Sequence, residues 1–374
     1  MELISTKIIK GPFAMKLEEI LNKEKNNLDI FRVIAACMVI YGHAYPLSPE
    51  AGQIDIVRRL VRFDYSGSLA VNIFFFLSGL VVTNSLLEKR NLIQFVISRI
   101  FRIWPALFIT VFISAFILGP VLTKLPINEY FGSGDAFRYF YKSLILNYQL
   151  SLPGVFVDNP WKNSVNGSLW TISYEVSAYL IVLSLFMVGL FKSKILPLIL
   201  FLVILIDPLL GNKLLFTWLP HKHHINMLAP CFAFGSILAF YKDQISINFF
   251  LILGAWLLFY LFRNCGYKFY FLYYAIFVSI IYIASLDFVI KLKPKSDISY
   301  GIYLWGFPVQ QILASYFHEY GVLFNQVSAL CISIILGFIS WHLIEKRCIS
   351  LGAKLGRKFR SESFCLHPRL NEAN

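Results

Sequence analysis

Charge is scarce in this sequence, and acidic charge scarcest of all. The 374 residues include 21 Asp and Glu against 34 Lys and Arg, and only 15% are charged, where soluble domains run near a quarter. Cysteine is sparse too: six residues, none in a CxxC pair, with Cys37, Cys231 and Cys331 in apolar runs and Cys348 and Cys365 in a basic tail. That spacing gives neither a disulfide framework nor a zinc pattern. No GxxxxGK[ST] phosphate loop, GxSxG elbow or HExxH helix is present, so these three catalytic frameworks are excluded. The first 29 residues mix Lys and Glu and lack an apolar core long enough for a cleavable signal, so they are expected to form a cytoplasmic leader.

Apolar and aromatic residues dominate. Hydrophobic residues make up 57% and aromatic ones 17%, with 36 Phe; rings in such number suit lipid and interface. A formal net charge of +13 then reads as cytoplasmic loops beside anionic lipid, not as a nucleic-acid surface. Ten stretches have the length and composition to cross a bilayer: 30–47, 68–87, 101–122, 168–190, 195–211, 225–241, 247–262, 269–290, 298–316 and 323–344. With both termini inside, about two thirds of the Lys and Arg fall on the cytoplasmic side. The expected fold is all-α, a polytopic bundle of about ten transmembrane helices with cytoplasmic termini. Residues 30–345 form its membrane domain and 346–374 a basic cytoplasmic tail. One outer loop, 123–167, is long, and its aromatic, amphipathic stretch 135–150 is expected to lie on the outer surface. The cluster "HKHH" (221–224) has no acidic or Cys partner nearby in sequence, so no metal site is expected.

Polar residues inside apolar spans carry the chemistry. In "FRVIAACMVIYGHAYP" (31–46), Arg32 and His43 are eleven positions apart. Eleven steps of 100° fall about 20° from three full turns, so both lie on one helix face, roughly 16 Å apart along the axis. Arg32 belongs at the cytoplasmic mouth, and His43 faces the bundle from the outer half. "SRIFRIWP" (98–105) puts Arg99 and Arg102 one turn apart at the inner end of the third span. Guanidinium forks suit phosphate oxygens, and Pro105 suits the first turn of a helix whose amides favour the same anion. "GSLWTISYEVSAYL" (167–180) places Glu175 inside the fourth span, on the face of Ser168 and one turn from Tyr179. A carboxylate there needs a partner, and His43 is the expected one. Asn72, Ser78, Tyr300, Tyr303 and Gln310 are further candidates to line a cavity. Ser78-Gly79 also allows close helix approach.

Arg32-x10-His43, "FFLSG", "SRIFRIWP", "SLWTISYE", "SYGIYLW" and "WHLIEKR" occur here in the order seen in acyltransferase family 3, which the chain resembles over about 28–347. The resemblance implies an integral-membrane bacterial enzyme of the plasma membrane that moves an acyl group, usually acetyl from acetyl-CoA, onto hydroxyls of cell-surface glycans. Acetyl-CoA is then a co-substrate, no cofactor stays bound, and the partners are lipid, acyl-CoA donor and glycan acceptor. His43 matches the catalytic His, Arg32 its partner, and Arg99 and Arg102 the donor-side pair. Two positions depart: Gly306 stands where many relatives have His, and Arg347 where many have Pro. A base and an acyl-histidine relay both fit His43. A transporter or flippase of lipid-linked sugars, without acyl transfer, is the alternative.

Overall fold

The computed structural model describes residues 14–210 and 226–365, so the "HKHH" cluster lies outside the described residues. Helix dominates. The strands among the described residues are the short antiparallel pair β1 (Met15–Lys16) and β2 (Ser246–Ile247). Five stretches are long and apolar enough to cross a membrane: Leu28–Leu47, Ser66–Lys89, Leu92–Leu122, Trp170–Met187 and Ser299–Phe359. Ile195–Leu210, Leu228–Phe240, Phe249–Phe262 and Lys268–Ala284 are shorter and equally apolar. Many of their Ile, Leu and Phe side chains are exposed, as lipid-facing surfaces require.

The chain divides into two compact units. The first takes the described parts of 1–31, 76–84 and 193–294. In it, helix α2 (Ser66–Lys89) contributes its middle, on which α7 (Leu228–Phe240) and α9 (Lys268–Ala284) pack; α6 (Ile195–Ile206) pairs with α7, and α8 (Phe249–Phe262) with α9. Small residues set the closest crossing. A Cβ on Gly79 would lie 2.1 Å from the Phe232 carbonyl oxygen, and one on Gly235 2.3 Å from that of Phe76. Thr83 and Ser236 share a hydrogen bond at 2.9 Å, and Phe76 stacks on Phe277 at 4.1 Å. The close approach expected at Ser78-Gly79 is therefore present, but it makes tight packing. Ser78 is buried in this unit.

The second unit holds residues 32–75, 85–192 and the described part of 295–374. Helix α1 (Leu28–Leu47) starts after Asn27, whose side chain accepts from Ile30 N. Helix α3 (Leu92–Ile113) follows α2 after two residues. Arg90 turns left-handed at φ 48°, and the Asn91 side chain accepts from Gln94 N. A π turn at Ser114–Leu118 carries α3 on to Leu122. Because α3 starts at Leu92 and not near 101, Arg99 and Arg102 lie well inside the helix. Pro105 is an interior residue, so no helix N-terminus reaches these arginines and the expected anion-binding amides are absent there.

The long loop folds into α4 (Asp135–Leu144), which sets Phe140 against Phe108, Phe112 and Phe116 of the α3 stretch. Helix α5 (Trp170–Met187) follows it. Helices α10 (Ser299–Phe317) and α11 (Gly321–Ser340) form an antiparallel hairpin, turned at His318–Tyr320 and at Gly321 with φ 74°. A second π turn, Trp341–Glu345, passes α11 into α12 (Lys346–Cys365). The helix thus runs straight through Glu345, and α12 lies along α3. A Cβ on Gly352 would meet Phe101 at 2.8 Å, and one on Gly356 would meet Gln94 at 3.1 Å.

Candidate active site

Helix α10 organises the second unit's polar interior. Asp297 lies just before α10; Tyr300, Tyr303, Phe307 and Gln310 follow at intervals of three or four, with Gln311 next to Gln310, and so present one flank of α10. At its lower end Arg102 donates to Asp297 at 2.6 Å, and the Ser299 hydroxyl donates to the same carboxylate at 2.6 Å. The charge of Arg32 acts on both Asp297 and Arg99, which brings the three arginines into one cluster. Glu345, buried in its π turn, accepts from Ser340 at 2.8 Å, and its charge acts on Arg102. Tyr300 donates to the Ile103 carbonyl at 3.1 Å.

Burial alone would raise the Asp297 carboxyl. Arg102, Arg32 and the Ser299 hydroxyl outweigh it and hold the group down to about 2. A carboxyl depressed on folding stabilises above its unfolded pKa and loses that contribution as pH falls through its folded one. The pair is therefore worth about 2 kcal/mol at neutral pH. In thermal melts, the stability gap between wild type and Asp297→Asn is expected to be constant down to about pH 4 and to close towards pH 2. A gap unchanged at pH 2 would contradict the pairing.

The two arginines of the RxxR sequence are not equivalent. Arg102 is ion-paired, whereas none of the ion pairs among the described residues involves Arg99 or Arg32. Arg99 lies between rings, its Cζ 5.5 Å from the Tyr179 centroid and 5.8 Å from that of Phe95, with Nε buried and unpartnered. Tyr179 in turn donates its hydroxyl to the Glu175 carboxylate. Glu175 thus supports Arg99 through Tyr179.

The expected partnership of Glu175 with His43 is not formed. The reason is the depth at which α5 begins. From 159 to 168 the loop descends along α10, tied at successive levels. Asn159 Nδ2 donates to Gln311 Oε1 at 2.7 Å, and Gln311 Nε2 donates to the Trp161 and Ser164 carbonyls at 2.8 and 2.6 Å. Lower down, Asn166 Nδ2 donates to the Leu304 carbonyl at 2.9 Å and Tyr303 donates to the Ser168 carbonyl at 2.7 Å. From Gln311 to Tyr303 is a descent of about 12 Å. Such buried, non-helical backbone is tolerated inside a membrane when protein satisfies it. Ser168 therefore ends a loop instead of sharing a helix face with Glu175, and its Oγ is buried without a partner. Thr171 meets the Tyr303 hydroxyl at 2.5 Å.

His43 sits higher up. It is half-buried, and its ring meets Phe307 at 5.4 Å and Trp161 at 6.4 Å, both nearly perpendicular. Its Nδ1 is buried and has no hydrogen-bond partner. The backbone around it is held firmly. Gln310 Nε2 donates to the Ile40 carbonyl at 2.8 Å and to Asn325 Oδ1 at 3.0 Å, and Gln326 donates to the Tyr41 carbonyl at 3.2 Å. Gly42 packs on Gly67, where a Cβ would come within 2.6 Å of the Gly67 nitrogen. Asn72 is fully buried on α2, whose Phe74 packs on Tyr303 at 5.8 Å. Gly306 has a local explanation: a Cβ there would meet Ile40 Cγ1 at 2.6 Å, so Ile40 fills the space that a side chain at 306 would need.

The structure thus places Arg32, Arg99, Arg102, Glu175, Tyr179 and Tyr300 around a lower cationic cluster. His43 and Gln310 lie above, with Tyr303 and Ser168 between. Asp297 and Gln311, in the same broken, polar-edged span as Gln310, join them, as do Trp161 and Phe307, to which the sequence reading gave no part in the site. The acyltransferase domain family matches residues 25–344. The chain belongs to the acyltransferase family. It is an O-acetyltransferase, and the transporter reading without acyl transfer gives way. The enzyme is 30% identical over 335 residues to the "O-acetyl transferase" of Shigella phage Sf6, covering 87% of this chain and 97% of that protein. It is also 28% identical over 166 residues, 42% of each chain, to "Nodulation protein 10" of Rhizobium leguminosarum bv. viciae. No solved structure matches this acyltransferase.

Proposed function

We propose that the enzyme, a ten-span protein of the bacterial plasma membrane with both termini cytoplasmic, moves acetyl from acetyl-CoA to a hydroxyl of a surface polysaccharide or its lipid-linked precursor. The observation that carries this reading is the arrangement along α10. An unpaired arginine and an imidazole without a polar partner lie at opposite ends of one polar flank, about 10 Å apart from Tyr300 to Phe307. Arg99 and Arg32 offer the free positive charge that CoA phosphates need. Arg102, neutralised by Asp297, shapes that cluster.

With Nδ1 sealed, Nε2 is the reactive nitrogen of His43. It takes the proton from the acceptor hydroxyl as that oxygen attacks the thioester carbonyl. The C–O bond forms, the C–S bond breaks, and the proton passes to the departing thiolate, leaving an acetyl ester and free CoA. His43 serves the same transfer as an acyl carrier if the group moves to Nε2 first. Vesicles containing the full-length enzyme, given acetyl-labelled acetyl-CoA and de-O-acetylated envelope polysaccharide, are expected to place label on the polysaccharide. Label that stays in CoA or free acetate refutes the reading.

A further inference from the structure

We infer that Trp161 is an acceptor-binding residue, the plane on which a sugar ring rests beside His43, and that Gln311 is its positioning residue. This rests on the acetyl-transfer reading above. Three rings, those of His43, Phe307 and Trp161, meet at interplanar angles of 77° to 83° with centroids 5.4 to 6.4 Å apart, as the walls of a corner meet. Phe307 is only 1% exposed, and a Cβ on Gly167 would press on its ring at 2.6 Å. Trp161 is 39% exposed. The corner therefore opens at the indole.

The loop around it is built to hold that ring still. Pro160, Trp161, Lys162 and Asn163 form a four-residue exposed tip between buried Asn159 and buried Ser164. One fully buried side chain, Gln311, binds both shoulders of the tip through Asn159, the Ser164 carbonyl and the carbonyl of Trp161 itself. Asn163 takes φ 55° to close the turn. An interfacial anchor needs only to reach the headgroups and gains nothing from a fixed backbone. A pyranose gains a good deal. Its C–H face packs on the electron-rich face of an indole, and its rim of hydroxyls takes hydrogen bonds from flanking polar groups, here Lys162 and Asn163. An aromatic wall with a few polar groups at its edge is the general form of a small-molecule site.

The test uses the full-length enzyme in nanodiscs, with labelled acetyl-CoA and de-O-acetylated envelope polysaccharide, each varied in turn. Trp161→Ala is expected to raise the acceptor KM about tenfold and to leave the acetyl-CoA KM within about twofold. Trp161→Phe, which keeps a ring, should recover most of the loss, and Gln311→Ala should move the acceptor KM in the same direction. If Trp161→Ala does not fold, Trp161→Leu takes its place with the same expectation. An acceptor KM unchanged in the ringless variant overturns the inference, and so does a loss confined to the amount of inserted protein. Wild-type enzyme that labels no polysaccharide fails the underlying acetyl-transfer reading instead.

Discussion

With His43 replaced by alanine, acetyl transfer is expected to fall about 10²–10⁴-fold, the usual contribution of a positioned base, while the protein still inserts at wild-type levels. The two halves of this expectation have separate physical grounds. Activity falls because α10 offers no second imidazole: Gly306 cannot supply one, since Ile40 fills the space beside it. Insertion survives because α1 is held by its backbone and its small residues. Gln310 and Gln326 bind the carbonyls of Ile40 and Tyr41, Asn325 donates to the Ser48 hydroxyl at 3.0 Å, and Gly42 rests on Gly67. None of these contacts uses the imidazole. Initial rates divided by the amount of monodisperse protein extracted from membranes would measure both. Activity near wild type would remove His43 from the mechanism.

Arg99→Ala and Arg102→Ala are expected to fail in opposite ways. Among the described residues Arg99 has ring contacts but no ion pair, so its removal should lower the melting temperature less than that of Arg102. It should raise the acetyl-CoA KM about 10- to 100-fold, the worth of one or two charge-assisted hydrogen bonds to phosphate. Arg102 is occupied by Asp297 at 2.6 Å. Its loss leaves a mostly buried carboxylate unpaired and should cost about 2–3 kcal/mol of stability. Adding Asp297→Asn to Arg102→Ala should restore part of that stability. Melting curves and donor titrations on the same preparations decide the matter. If the KM effect follows Arg102 and the stability effect follows Arg99, the assignment of free and paired charge is reversed.

The parts of the site legible in the sequence are those fixed by local periodicity. The eleven-residue spacing sets Arg32 and His43 on one face of α1 whatever the neighbours do. Ser78-Gly79 announces a close crossing because only a missing Cβ allows backbones to touch. The depth of Glu175 was not legible. A hydropathy profile shows where an apolar run begins along the chain. It does not show that the preceding loop has already descended about 12 Å, because side chains roughly 140 residues later satisfy that loop's backbone. The start of α3 was misplaced for a related reason. Gln94, Ser98, Arg99 and Arg102 dilute the apolar signal of its first three turns, while the Asn91 cap fixes the true beginning. Asp297 and Arg102 are 195 residues apart, and nothing local in either sequence names the other.

The π turn at Trp341–Glu345 has a consequence for how this chain tolerates change. A π turn holds one residue more than the α-helical turn it interrupts, so deleting a residue there would close it to an α turn and keep α12 in phase, whereas a deletion between it and Gly352 has no extra residue to give up and would rotate everything beyond by about 100°. Gly352 and Gly356 would then swing away from Phe101 and Gln94, and bulkier neighbours would face α3 in their place. The C-terminal helix is in that sense threaded like a screw. It has one residue of slack, at the π turn, and a one-residue shift beyond that point should unseat it more thoroughly than many substitutions along its length.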